Sequence, residues 1–296
     1  MSWQLVALNA WLRLRERPRL AREASVELAR ARMERMAALA PPPAGAGWRQ
    51  AAVGVAARRM PGPDAGGVLL WFHGGAYCLG SSATHAAMVT ALAERADAGA
   101  VVPDYRLAPE HPFPAAVEDA RAAWDALVKE VPAERIGLGG DSAGGGLAFA
   151  LLQELLAEGL AAPACVVAFS PWTDLTLAGR SLASQAWREV LLPPKRLEEI
   201  RNLYLAGADA SDPRASPRHG RYGGAPPVLI QASMAEILRD DAQAMAETLR
   251  RDGVPVTLDL RRAVPHVWQA FHGRLPEADA ALDRAAAFLR AHLKTA

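Results

Sequence analysis

Short β-rich runs alternate with longer helical runs over most of this chain, and this alternation constrains its fold more than any other feature. A strand followed by a helix and then by another strand is typical of a parallel sheet that is covered by helices. The β-rich runs are Val68 to Phe72, Ala100 to Val102, Ile136 to Leu138, Cys165 to Phe169, Val228 to Ala232 and Val256 to Leu260. The helical runs between and after them are Ala86 to Ala96, Ala115 to Lys129, Leu147 to Leu156, Asp240 to Arg251 and Ala278 to His292. The sequence therefore predicts an α/β fold with a mostly parallel central sheet.

Two segments depart from this alternation. Over residues 1 to about 40, apolar residues recur at helical spacing among charged ones, and Pro41 ends the pattern. Between about Asp174 and Gly224, a proline pair, a helical run and a polar stretch interrupt the sheet. We therefore predict three segments, which are an N-terminal helical cap segment (1–45), a catalytic domain (46–296) and a cap insertion within that domain (about 175–224).

Composition and charge exclude several functional classes. Lys and Arg number 33 against 32 for Asp and Glu, so a formal net charge of +1 creates no global field to attract nucleic acid or an anionic membrane. Cys78 and Cys165 are the only cysteines, which supports neither a disulfide scaffold nor a paired-cysteine zinc site. The arginines from Arg13 to Arg19 follow the first apolar stretch, whereas a signal peptide has its charges before it. We expect a soluble cytoplasmic protein with no nucleic-acid partner and no stable membrane association.

The most informative segment is Gly140-Asp141-Ser142-Ala143-Gly144, at the junction of a predicted strand and a predicted helix. A sharp turn at such a junction holds a serine hydroxyl out of the sheet, and flanking glycines let the strand and the helix approach closely. Serine is also a favoured helix N-cap, so capping alone is an alternative explanation of Ser142. We interpret Ser142 as a nucleophile.

A second glycine-containing segment, His73-Gly74-Gly75-Ala76-Tyr77, follows the strand that begins at Val68. Its glycines alone would explain a turn. In the functional interpretation, the backbone N–H groups of Gly74, Gly75 and Ala76 join that of Ala143 around the oxygen that becomes negative in a tetrahedral intermediate. We predict that these four groups form an oxyanion hole.

A serine nucleophile needs a base, and in this arrangement the chain order is serine, then acid, then histidine. His266 fits, because it lies just past the last predicted strand in Val264-Pro265-His266-Val267-Trp268. The other six histidines precede the serine or stand in less suitable segments, and they are His73, His85, His111, His219, His272 and His292. A partly buried histidine without a catalytic role is the alternative explanation of His266.

Three carboxylates follow the predicted strand that ends at Ala232 and compete as the acid of a triad. Asp240 and Asp241 stand where the N-cap and first-turn acids of the next helix belong, which explains them without catalysis. Glu236 lies earlier, in the loop, and has no such explanation. We predict that Glu236 orients His266, with Asp240 as the alternative.

These segments make the chain similar to the hormone-sensitive-lipase family of α/β-hydrolases, which includes bacterial carboxylesterases. The resemblance rests on His73-Gly74-Gly75-Ala76-Tyr77, on the segment Tyr105 to Pro114 and on Gly140-Asp141-Ser142-Ala143-Gly144-Gly145, and it extends from about residue 50 to the end. It implies the α/β-hydrolase fold and a cap built from the N-terminal helices and an insertion. Ala76 stands at the third glycine of the family's His-Gly-Gly-Gly, and Glu236 stands where the family more often has aspartate.

Together the residues and the resemblance predict a serine carboxylesterase that acts on small esters with short to medium acyl chains. Ser142, His266 and Glu236 would form the triad and an acyl-enzyme intermediate, with no metal and no organic cofactor. Hydrolysis of a lactone or an amide by the same triad is an alternative, and a non-catalytic small-molecule receptor is a further one. The apolar residues available to line a pocket in the cap are Trp3, Trp11, Trp187, Leu191, Leu192 and Tyr204. A monomer and a homodimer are both compatible with the sequence.

Overall fold

The computed structural model describes residues 1–23, 25–63 and 66–293. Its strands are β1 (Arg49–Val53), β2 (Val55–Met60), β3 (Val68–Phe72), β4 (Gly99–Pro103), β5 (Ile136–Asp141), β6 (Cys165–Phe169), β7 (Val228–Ser233) and β8 (Val256–Arg261). Within the described ranges they form one sheet in the order β1-β2-β4-β3-β5-β6-β7-β8. Strands β3 to β8 run parallel, while β2 is antiparallel to both β1 and β4. The predicted mostly parallel sheet is confirmed.

Helices cover both faces of this sheet. They are α4 (Ser82–Arg95), α5 (Ala115–Leu127), α6 (Ala143–Ala157), α9 (Arg239–Arg251) and α10 (Pro276–His292). Along β3, Leu70 and Phe72 belong to the core beneath α5, α6 and α9, whereas Leu69 and Trp71 belong to the core beneath α4 and α10. This alternation follows from the two-residue period of a strand, and it explains why β3 is apolar throughout.

The antiparallel edge of the sheet was not predicted. Strands β1 and β2 form a hairpin around Gly54, which adopts a positive φ of 72°. The side chains of β1 are mostly exposed, and β2 carries Arg58 and Arg59, so the two strands lack the continuous apolar character of the central ones. An edge hairpin with one solvated face therefore gives a weaker sequence signal than a buried parallel strand.

The N-terminal segment is helical, as expected, but it is not one helix. Its elements are α1 (Trp3–Trp11), a π-helical turn (Leu12–Glu16), α2 (Arg17–Arg22) and α3 (Val26–Ala38). Pro18 has no N–H to donate to the carbonyl four residues earlier, and the turn before it relaxes to the wider π geometry, in which the Arg17 N–H bonds the Leu12 carbonyl. No helix within the described ranges has the length and apolar character that a bilayer crossing requires.

The stretch from Asp174 to Gly224 contains α7 (Ser181–Ser184) and α8 (Pro194–Leu205) and contacts the N-terminal helices directly. The Arg13 guanidinium donates to the Arg188 carbonyl at 2.8 Å, and that of Arg17 donates to the Ala186 carbonyl, also at 2.8 Å. Two segments that are distant in the sequence therefore lie side by side in the structure.

Helix α6 crosses β3 so closely at Gly144 that a side chain has no space there. A Cβ at this position would lie 2.0 Å from the Phe72 carbonyl oxygen and 2.5 Å from that of His73. We expect Gly144→Ala to cost about 1–3 kcal/mol of unfolding free energy or more, and thermal denaturation should show Tm lowered by several degrees. Gly223→Ala is the matched control, since a Cβ there meets nothing within 4 Å. Equal Tm values for the two variants would contradict this packing.

Candidate active site

Ser142 occupies the sharp turn between β5 and α6. Its φ is +53° and its ψ is −122°, a backbone conformation that side-chain-bearing residues rarely adopt. The turn is so tight that Gly140 cannot carry a side chain, because a Cβ there would lie 2.3 Å from the carbonyl oxygen of Gly144. Although Ser142 stands at the N-cap position of α6, its side chain makes no capping hydrogen bond. The capping explanation is therefore wrong, and the Ser142 hydroxyl points elsewhere.

The Ser142 hydroxyl points at His266, and His266 in turn contacts Glu236. The Ser142 Oγ lies 2.9 Å from His266 Nε2, and His266 Nδ1 lies 2.6 Å from Glu236 Oε2. With the proton on Nδ1 donated to the carboxylate, Nε2 is free to accept the serine proton. The structure thus brings together the three residues that the sequence analysis selected as nucleophile, base and acid.

The Glu236 carboxylate is buried and its hydrogen bonds are satisfied on both oxygens. Oε1 accepts from the Ser233 N–H at 2.6 Å and from the Ser170 hydroxyl at 3.0 Å, while Oε2 faces His266. Ser170 Oγ also accepts from the Val267 N–H at 3.2 Å, which ties the histidine loop to the same centre. These donors fix the carboxylate at the carboxyl ends of β6 and β7.

The alternative acids are engaged away from His266. Asp240 accepts from the Ser181 N–H at 2.9 Å and pairs with Arg239. Asp241 accepts from the backbone N–H groups of Thr173 and Asp174, both at 2.9 Å. Both carboxylates thus anchor the chain that follows β6 to the start of α9, and neither contacts the histidine in the structure.

The pKa of His266 lies above its ordinary value. Burial alone would lower this pKa, but the hydrogen bond and the charge of Glu236 outweigh burial, with further contributions from the charges of Glu189 and Asp141. A raised pKa means that the imidazolium is favoured, which suits a group that must take a proton and hold it briefly.

The structure contradicts one of the four predicted oxyanion donors. The Gly74 N–H donates to His85 Nε2 at 3.2 Å, behind the loop, so Gly74 does not serve as an oxyanion donor. Gly75 and Ala76, at φ values of 122° and 54°, line the same cavity as Ser142, and within the described part of the chain their N–H groups donate to no protein acceptor. Ala143 is the first residue of α6, where an N–H has no intrahelical acceptor.

A buried pair that was not predicted supports the loop from behind. Asp141, next to the serine, accepts from the Trp71 indole N–H at 3.0 Å and contacts His85 Nε2 at 3.2 Å. A Cβ on Gly74 would lie 2.2 Å from this carboxylate, so only glycine fits. His85 was not predicted to have a role, because it precedes the serine in the chain. The available signal was Asp141 itself, because an aspartate at the buried end of a strand requires hydrogen-bond donors.

Arg30 of α3 connects the N-terminal segment to the other side of the oxyanion loop. Its guanidinium donates to the carbonyls of Cys78 and Ala108, both at 2.7 Å, and pairs with Glu110 at 2.7 Å. Ala108 and Glu110 belong to the segment Tyr105 to Pro114, one of the motifs behind the family resemblance. The motif therefore supplies attachment points for the N-terminal helices.

Glu189 is a second buried carboxylate near the histidine, and it was not among the predicted site residues. One of its oxygens accepts from the N–H groups of Leu191 and Leu192 at 2.8 and 3.2 Å, and the other accepts from the N–H of Ile237 at 3.1 Å. Ile237 directly follows Glu236. Glu189 therefore joins the wall of the cavity to the loop that carries the acid.

The cavity at Ser142 has a volume of about 290 Å³ and is mostly apolar. Two of the predicted cap residues, Leu191 and Leu192, line it, and Trp11 lines an adjoining cavity of about 500 Å³. Tyr204 is instead buried in the core, stacked on Tyr77 with ring centroids 3.9 Å apart. Trp3 and Trp187 are exposed, and no group of three or more metal-ligating side chains occurs among the residues described.

Comparison with known proteins identifies the family. The family model described as alpha/beta hydrolase fold matches residues 69–270. An acetyl-hydrolase of Streptomyces hygroscopicus is 45% identical over 231 residues, which is 78% of this chain and 77% of that protein. An esterase of Acinetobacter venetianus is 35% identical over 75% of this chain and 74% of its own. The crystal structure of an esterase from the bacterial hormone-sensitive lipase family superposes with a TM-score of 0.93 at 36% identity, covering 99% of both chains.

The chain belongs to the hormone-sensitive lipase family. The predicted α/β-hydrolase fold is confirmed, and the protein is a carboxylic ester hydrolase. As a member of this family it has small esters as substrates, and the receptor alternative is not supported. Glutamate in place of the more usual aspartate leaves the acid within hydrogen-bond distance of the histidine, as the 2.6 Å contact shows.

The charge of Glu189 generates a prediction about pH. Because this charge raises the pKa of His266, Glu189→Gln should lower that pKa. Protonated His266 cannot accept the serine proton, so the acid limb of the kcat/KM profile should move to lower pH in the variant. The measurement is kcat/KM from pH 4.5 to 9 on a soluble ester. Glu198→Gln, at an exposed position on α8, is the control and should leave the limb in place. A limb that stays put or moves upward in Glu189→Gln would contradict the assignment.

Proposed function

We propose that this ester hydrolase works through Ser142 as nucleophile, His266 as general base and Glu236 as the acid that orients it. The proposal rests on the continuous hydrogen bonds from the Ser142 hydroxyl through both nitrogens of His266 to Glu236. Ser142 and His266 also line an apolar cavity. A serine hydroxyl becomes reactive when such a base lies within hydrogen-bond distance and is oriented by a third group.

The first half of the reaction forms an acyl-serine. Ser142 Oγ attacks the ester carbonyl carbon while its proton passes to His266 Nε2. The carbonyl oxygen becomes negative and is stabilised by the N–H groups of Gly75, Ala76 and Ala143. When the tetrahedral intermediate collapses, the C–O bond to the alcohol breaks, and the departing oxygen takes the proton from His266. The alcohol leaves and the acyl group remains on Ser142.

The second half repeats these steps with water. His266 removes a proton from a water molecule, whose oxygen attacks the acyl carbon, and the same N–H groups stabilise the second oxyanion. Collapse breaks the bond to Ser142 Oγ, which recovers its proton from His266. The carboxylic acid is released and the enzyme returns to its starting state. Glu236 keeps its charge throughout and stabilises the imidazolium each time it forms.

The cavity favours small, apolar acyl groups. Its volume of about 290 Å³ is at the lower end of the range for small-molecule sites, and its walls include Leu191, Leu197, Ile200 and Phe271. The acetyl-hydrolase name of one relative also points to short acyl chains. We infer short- to medium-chain carboxylic esters as substrates.

We further propose that residues 1–45 and about 175–224 act together as the cap over a catalytic domain formed by the rest of the chain. Both segments contribute to the cavity wall, with Leu20 and Met33 from the first and Leu192 and Leu197 from the second. The contacts of Arg13 and Arg17 with the insertion support a shared unit. The final residues of the catalytic segment, 294–296, lie outside the described ranges.

The direct test compares the protein with Ser142→Ala on p-nitrophenyl butyrate, with the acetate and decanoate esters alongside. We expect wild-type turnover, fastest with the shorter acyl chains, and a fall in kcat of about 10⁴- to 10⁶-fold in the variant. Circular dichroism controls for folding. A variant that retains wild-type kcat would exclude Ser142 as the nucleophile.

A second pair of variants distinguishes the two candidate acids. Glu236→Gln replaces the charge that orients His266 with an amide of similar size and should lower kcat by about 10³- to 10⁴-fold. Asp240→Asn is the matched control, because Asp240 contacts Ser181 and Arg239 rather than the histidine. It should leave kcat within a few-fold of wild type. The reverse ranking would transfer the role of the acid to Asp240.

A further inference from the structure

Large exposed apolar side chains are concentrated in the N-terminal segment. Among the residues described, this segment contributes Met1, Trp3, Val6, Trp11, Leu14, Leu28, Met36 and Leu39, and the rest of the chain contributes four. Helix α1 is apolar on two sides. Leu5, together with Leu12 just after the helix, faces the core, whereas Trp3 and Val6, on another side of the helix, are 76% and 57% exposed. A helix that is apolar all round normally has both sides covered.

Exposed arginines follow this apolar surface. Arg13, Arg15, Arg19 and Arg22 are exposed, and within the described residues Arg15, Arg19 and Arg22 make no ion pair. Glu16, the one carboxylate between Arg13 and Arg22, is paired with Arg32. We call Trp3, Val6, Trp11, Leu14, Arg15 and Arg19 the α1 surface. It combines tryptophan and aliphatic side chains with unpaired guanidinium groups.

The charge of the α1 surface identifies the kind of partner that it fits. A symmetric dimer formed through this face would place like-charged arginines of the two copies near each other, which is unfavourable. Tryptophans, aliphatic side chains and arginines are instead the residues with which helices lie in an anionic lipid–water interface. We propose that the α1 surface docks reversibly on such an interface. This departs from the sequence-based expectation of no stable membrane association, because the apolar side of α1 became visible only with the fold.

The α1 surface lies next to the cavities that lead to Ser142. Trp11 lines the cavity of about 500 Å³ that adjoins the catalytic cavity, and the two cavities share wall residues including Leu20, Met33 and Phe271. An apolar ester dissolved in lipid would therefore meet the enzyme at the entrance to Ser142. This consequence rests on the proposed function, whereas docking itself does not require hydrolysis.

Vesicle binding tests the proposal without reference to turnover. The full chain is sedimented with vesicles of phosphatidylcholine alone and of phosphatidylcholine mixed with phosphatidylglycerol, at low and high salt. We expect binding to the anionic vesicles that weakens as salt shortens the Debye length from about 10 Å at 0.1 M to about 3 Å at 1 M. The double variant Trp3→Ser with Leu14→Ser should bind at least about tenfold more weakly, since two large apolar side chains no longer enter the interface.

Two controls keep the result interpretable. Leu160→Ser removes an apolar side chain of 41% exposure outside the N-terminal segment and should bind vesicles like wild type. Hydrolysis of dissolved p-nitrophenyl butyrate should be unchanged in the double variant, because neither Trp3 nor Leu14 lines the catalytic cavity. If that variant does not fold, Arg15→Gln with Arg19→Gln replaces it and should weaken both the binding to anionic vesicles and its salt dependence.

Three results would overturn the proposal. The first is no binding to either kind of vesicle, and the second is binding that neither set of variants weakens. The third is a dimer, seen by analytical ultracentrifugation, that the double variant dissociates while the vesicles bind nothing. That last outcome would assign the α1 surface to a second copy of the chain. Each result is independent of whether Ser142 is the nucleophile.

Discussion

A buried negative charge at the carboxyl edge of the sheet, the Glu236 carboxylate, is the constraint on which the site depends. An unpaired carboxylate in such a place would be strongly destabilising, so the surroundings must supply donors. They do so from the strand end at Ser233, from the Ser170 hydroxyl and from the ring of His266. Because the same histidine also reaches Ser142, the demand for donors fixes the orientation of the reactive groups.

Close backbone contact is the second constraint, and it explains where glycine is required. The turn at Ser142 brings α6 against β3 at Gly144, and the carboxylate of Asp141 occupies the space in which a side chain on Gly74 would lie. Asp141 Oδ2 and the Gly74 N–H both lie 3.2 Å from His85 Nε2. The loop at Gly74 is therefore positioned by the buried pair Asp141 and His85, which is distinct from the pair Glu236 and His266.

The fold was accessible from the sequence, because central strands such as β3 and β6 are continuous apolar runs. Ser142, Glu236 and His266 could be selected because each comes shortly after a predicted strand and they occur in the chain order serine, acid, histidine. The orientation of the Gly74 N–H was not accessible, since it depends on His85, a contact made through tertiary structure alone. The role of Glu189 was hidden for the same reason, because the N–H groups that donate to it belong to Leu191 and Leu192, in an insertion without strong periodicity, and to the distant Ile237. The β1–β2 hairpin was missed because solvent exposure weakens its apolar pattern, and the π-helical turn before Pro18 was missed because a change of helix type leaves no signal in apolar periodicity.

The central claim is that covalent chemistry occurs at Ser142 with His266 as base. The most direct measurement is intact-mass spectrometry with peptide mapping after treatment with a p-nitrophenyl alkylphosphonate, which reacts with an activated serine and leaves a stable adduct. The account predicts one phosphonyl group per chain, on the peptide that contains Ser142, with labelling greatly slowed in His266→Gln. An enzyme that hydrolyses esters but carries the adduct on another residue, or none, would contradict it.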